Sequence, residues 1–170
     1  MSARRAFWDD APMRPFTVHE IALVRESFRL ATGDPEAFAA AYFRELFALD
    51  HSARGLFRGD LRHLGHSFVT TLRVIVMELE RFENFAAHLR NLGGRHAGYG
   101  VRREHMALGS AALMSALAGR TCAAFTPETR AAWAHVLEAI TAEIVTGAVS
   151  AASRSPAIAA NWAASERGAA

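Results

Sequence analysis

Histidine is the residue type whose placement bears most on chemistry: the chain has eight, against a single cysteine, Cys122. His19 and Glu20 lack the second histidine that a zinc-protease helix needs. His63 and His66 stand three apart and could share a metal from one helix. No third ligand lies nearby, so they read as two partly exposed imidazoles on a polar face. His96 is placed differently. Phe82, Phe85, Leu89 and Leu92 step by 3, 4 and 3, and His96 follows four residues later. That spacing sets an imidazole at the next place of an inward-facing helical stripe, just after a Gly93-Gly94 pair that should loosen the helix. Such a group serves either as a satisfied core histidine or as an axial metal ligand. One cysteine leaves no internal disulfide and no cysteine-built zinc site. There is no glycine-rich phosphate loop and no serine in a nucleophile-elbow context.

The elements that must position these residues read as helices throughout. The first opens at Thr17, with Glu20 completing a capping box and Ile21, Val24 and Phe28 as its stripe. Asp34-Pro35 opens a second, carrying Phe38, Tyr42, Phe43, Leu46 and Phe47. A short turn over Asp50–Leu56 follows. A helix from about Asp60 to Arg81 carries Leu61, Leu64, Phe68, Leu72, Ile75 and Leu79 at steps of 3, 4, 4, 3 and 4. The stretch from Phe82 should end at the glycine pair. A long helix from about Arg102 to Ala124 carries Met106, Leu113 and Leu117. Thr126-Pro127-Glu128 opens the last, with Trp133, Val136, Leu137, Ile140 and Ile144. The alanine- and serine-rich end from about Ala151 reads as frayed helix or disorder. No strand pattern and no repeat occurs, so the fold class is all-α with about seven helices. Their unequal lengths argue against a regular four-helix bundle.

With 51% hydrophobic and 21% charged residues, 170 residues suit one globular domain. The expected organisation is an extension over 1–16, a domain over 17–150 and a tail over 151–170. The net charge of +2 is too even for an electrostatic nucleic-acid binder. The pI near 9.3 arises because every cation is arginine, which does not titrate near neutrality. The N-terminus lacks an apolar signal region, and no apolar run approaches the roughly 18–20 residues of a membrane span. A cytoplasmic location without membrane or nucleic-acid partners is expected. Inward Leu64 and Phe68, joined by Phe43, Phe47 and Phe57, imply an aromatic cavity. A cavity of that kind with one inward imidazole is what haem iron needs: the imidazole supplies the axial bond, and apolar walls hold the macrocycle and exclude water.

Three segments carry a family resemblance. Ala41–Asp50 (AYFRELFALD) with Gly55–Asp60 (GLFRGD) resembles the B-to-E region of a globin. Leu92–Val101 (LGGRHAGYGV) resembles the proximal segment, and Ala124–Trp133 (AFTPETRAAW) the start of the last helix. The likeness covers about residues 17 to 150. It is to bacterial single-domain globins and the globin domain of flavohaemoglobins, with neuroglobin-like features. The resemblance implies haem b with His96 as proximal iron ligand and the Leu92 carbonyl accepting that ligand's second ring N–H. It implies Phe57 stacked on the haem, Phe43 above the iron, and Leu64 and Phe68 at the inward E-helix positions. Val101 and Met106 match haem-edge contacts, and Arg95 and Tyr99 are candidates to meet the propionates.

Departures from the family shape the functional reading. Oxygen-handling relatives usually place a Tyr on the B helix and a Gln or His on the E helix, where Phe43 and Leu64 stand here. The Tyr and Glu that back the proximal histidine in flavohaemoglobins correspond to Met106 and Ala148. The resemblance therefore implies reversible binding of a diatomic gas (O2, NO or CO) for transport, exchange or sensing. The alternative is an NO dioxygenase or peroxidase-like enzyme working with a separate reductase, and a third reading is a globin-fold interaction module without haem. On a helix His63 lies ~100° and His66 ~200° from Leu64, so neither becomes a sixth ligand unless that helix is rotated or slipped. Monomer and homodimer both remain open.

Overall fold

Four helix starts follow from a local donor–acceptor exchange. The computed structural model describes residues 14–163. Thr17 and Glu20 close a reciprocal capping box on α1 (Val18–Ala31). Asp34 accepts from the Ala37 amide at 3.0 Å, and Pro35 opens α2 (Pro35–Leu49). A 3-10 turn, His51–Leu56, leads to Asp60, which caps α3 (Leu61–Met77). A second turn, Leu79–Arg81, precedes α4 (Phe82–Gly98). Then come α5 (Arg103–Thr121), a third turn over Cys122–Ala124, and α6 (Pro127–Arg154), capped by Thr126. The last described helix is α7 (Pro156–Ala163). Among the described residues there are seven α-helices and no strand.

The long-range frame is α6 laid along α4 and α1, with α5 across α2. Trp133 of α6 is fully buried, and its indole N–H donates to the Ser27 hydroxyl of α1 at 2.9 Å. Val24, Phe38, Leu89, Leu117 and Val136 fill the same core. Large side chains buried this far each contribute roughly 1.5–3 kcal/mol. Arg25 of α1 donates to the Met77 carbonyl at 2.8 Å, satisfying a C-terminal carbonyl of α3.

Several expectations change. The helix bearing His96 does not end at Gly93-Gly94; it runs on to Gly98. Gly93 is a packing contact, because a Cβ there would fall on the Ile144 carbonyl, and one on Gly147 of α6 would fall on the Arg90 carbonyl. Each helix supplies the glycine that admits the other's backbone. Of the tail expected as frayed helix or disorder, the described part is helical: α6 continues to Arg154, and α7 buries Trp162 near Ala97 and Ala148. The expectation that nothing approaches a membrane span also fails on length and composition. α6 has 28 residues and a window of mean hydropathy 1.3, with Trp133, Val136, Ala139 and Ile140 of that stretch in the core. The α3 helix stops at Met77, short of Arg81. Residues 1–13 of the expected extension lie outside the described residues.

Candidate functional site

One wall of the site is built of rings. Phe43 and Phe47, one turn apart on α2, stack at 5.8 Å, and Phe57, just past the 3-10 turn, meets both edge-on at 5.2 and 5.6 Å. Edge-to-face and offset contacts of this kind are favourable beyond the area they bury. Phe68 of α3 lies 6.4 Å from Phe43 and stacks on Tyr42 at 4.2 Å. Phe43 is buried, and Phe47, Phe57, Leu64 and Phe68 are half-buried. What lets α3 come this close is Gly65: a Cβ there would stand 2.8 Å from that of Ala39 and 3.6 Å from the Phe43 ring. No side chain among Phe43, Phe47, Phe57, Leu64 and Phe68 carries a hydrogen-bond donor. Tyr42, the hydroxyl nearest in sequence, directs its oxygen toward α5, within 3.5 Å of where a Cβ on Gly109 would stand. Burial pushes its pKa up to about 12. His63 and His66 are both exposed, while Leu64 and Phe68 on the same helix turn inward.

α4 carries one half-buried imidazole. Nδ1 of His96 lies 2.9 Å from the Leu92 carbonyl, so that nitrogen donates and Nε2 holds the free lone pair. Burial lowers its pKa; the Leu92 bond opposes this, and the Arg95 cation adds to it. A neutral imidazole with one fixed tautomer is the form that binds a metal. The end of α4 is tied back on itself: the Val101 and Tyr99 amides both donate to the His96 carbonyl, at 3.0 and 3.1 Å. Val101 and Met106 are half-buried. Tyr99 is 69% exposed, and Arg95 is exposed along a cleft that α4 forms with α6. Ala148 is fully buried beside Ala97 and Trp162.

This donor set limits what could bind. No group of three or more His, Cys, Asp or Glu side chains that could hold a metal occurs among the described residues. A lone half-buried imidazole suits a metal that arrives with its other ligands already in place, as haem iron does. The family model for Globin matches residues 40–144, more than half of the chain, and the chain belongs to the globin family. Haem binding, and through haem the binding of a gas ligand, come with that membership.

Several contributors to this geometry escape a reading of the sequence. Gly65 follows Leu64 and has no local signal, since its partner Ala39 is on another helix. Gly93 and Gly147 set the α4–α6 approach from 54 residues apart. The Tyr42–Phe68 stack depends on the same α2–α3 closure.

Proposed function

We propose that this globin holds haem b through His96 and binds a diatomic gas reversibly against an apolar wall of Phe43, Leu64 and Phe68. Haem, when bound, would supply an iron that takes up the gas reversibly. The chain's own residues do the rest. The Leu92 carbonyl keeps the His96 tautomer fixed and its Nε2 available. Phe57, Phe47 and Phe43 form an aromatic face for the macrocycle and exclude water. Exposed His63 and His66 leave no imidazole on the side that Leu64 and Phe68 line. The ferrous protein accordingly has no sixth ligand of its own.

The observation that carries this reading is the absence of any donor on that wall, with the Tyr42 hydroxyl turned to α5. A ligand that gains negative charge on binding, as O2 does, is retained by a nearby donor, whereas CO gains far less. A hydrogen bond to a charged acceptor contributes roughly 1.5–3 kcal/mol. Without it O2 release is faster by about one to two orders of magnitude, and the CO/O2 affinity ratio is high. Rapid exchange or sensing suits such a site better than tenacious storage. The same apolar wall, with Met106 and Ala148 at the backing positions, counts against the reductase-coupled enzyme. Dissociation rates of O2 and CO, measured in wild type and in Leu64→Gln, test the reading. Leu64→Gln slows O2 release about 10- to 100-fold and changes CO little. Slow O2 release in wild type, with no further slowing in the variant, would show a donor elsewhere and overturn it. Sustained NO consumption with O2 and a reductase would favour the enzyme.

A further inference from the structure

The face of α4 turned away from His96 forms a cavity of about 590 Å³ with α6. Three guanidinium groups line it: Arg90 and Arg95 from α4, and Arg154 from the last turn of α6. At ~100° per residue, Arg90, Asn91, Gly94 and Arg95 point on average ~170° around α4 from His96. The cleft and the haem-facing stripe thus use opposite sides of one helix. Its floor is small residues: a Cβ on Gly94 would still stand 3.7 Å from that of Ala151.

The charges in this cleft do not cancel. Arg90 is paired with Glu143 at 2.6 Å. Neither Arg95 nor Arg154 has a carboxylate within 4.0 Å among the described residues, which leaves two uncompensated cations facing one cavity. Arg154 is held in place by donating to the Ser150 hydroxyl at 2.6 Å. Thr146, Ser150 and Asn91 add neutral polar groups to the walls. A guanidinium presents two parallel N–H groups to phosphate or carboxylate oxygens, and charge-assisted bonds of that type are about twice as strong as neutral ones. The volume lies within the roughly 300–1,000 Å³ of small-molecule sites.

We propose that the α4–α6 cleft binds a small anion bearing two or more phosphate or carboxylate groups, bridged between Arg95 and Arg154. The site uses no residue of the aromatic wall, and it assigns Arg95, a candidate for a haem propionate, to the cleft instead.

Isothermal titration of the full-length, haem-loaded chain with inorganic pyrophosphate tests this, in wild type, Arg154→Gln, the double variant Arg95→Gln/Arg154→Gln, and Ser150→Asp. Pyrophosphate binds wild type at one saturable site per chain. Affinity falls several-fold in Arg154→Gln and at least tenfold in the double variant and in Ser150→Asp, with melting curves confirming that each variant is folded. Citrate competes if carboxylates share the site; if it does not, the ligand class narrows to phosphates. No saturable binding to wild type, or equal affinity in wild type and the folded variants, overturns the proposal. Binding of an acidic peptide such as poly-glutamate without binding of pyrophosphate also overturns it, in favour of a protein partner.

Discussion

The two sides of the site are held by different kinds of contact. On the α4 side the determinants are backbone. Gly93 and Gly147 admit the carbonyls of Ile144 and Arg90, and His96 is oriented by a carbonyl four residues away in its own helix. On the α2–α3 side they are side chains: rings of Phe43, Phe47, Phe57 and Phe68 touch at 5.2–6.4 Å, and Gly65 meets the methyl of Ala39. Backbone cannot move without moving a helix, and the Ala39 Cβ moves only with its own backbone, whereas rings yield by tenths of an ångström. The first side therefore fixes position, and the second fixes chemistry and tolerates repacking.

The sharpest division between the two regions is a pair of matched substitutions. Gly93→Ala drives a Cβ into a carbonyl and should cost about 3 kcal/mol or more in denaturant unfolding. Gly65→Ala meets a side-chain methyl and should cost about 1–2 kcal/mol. Equal costs would break the comparison. Smaller than either is Tyr42→Phe. It removes a hydroxyl directed at α5 and keeps the stack on Phe68, so stability at neutral pH should change by less than about 0.5 kcal/mol. The same residue gives the ring side an alkaline signature. The folded Tyr42 pKa is near 12, above its ordinary 10.0, so the unfolded chain loses that proton first. Its contribution to stability is complete below about pH 10 and is lost as pH rises through about 12. Tyr42→Phe should flatten that alkaline decline, and an unchanged pH profile would mean the hydroxyl is not buried as described.

What was legible in the sequence follows the range of the interactions. The caps at Thr17, Asp34 and Thr126 act within three residues, so helix starts could be placed closely. His96 could be singled out because its stripe and its Leu92 carbonyl are in one helix. The glycine pair misled because glycine is the same letter whether it ends a helix or admits a neighbour. Only Ile144, 51 residues away, decides which. For the Ala151–Ala163 segment helix and disorder stayed open, because its burial depends on Trp162 finding Ala97 and Ala148. An alanine-rich run has no signal for that. Phe43, Phe57 and Phe68 were readable as apolar, but the approach of Phe68 to Phe43 depends on Gly65.

The central claim is that a single imidazole, His96, holds the haem iron. Absorption spectra of the ferrous protein in wild type and His96→Ala, with and without added imidazole, test it most directly. The account predicts a five-coordinate wild-type spectrum. It also predicts that His96→Ala loses haem or alters the iron's coordination, with the wild-type spectrum restored by imidazole. An unchanged Soret band and unchanged coordination in His96→Ala would contradict it.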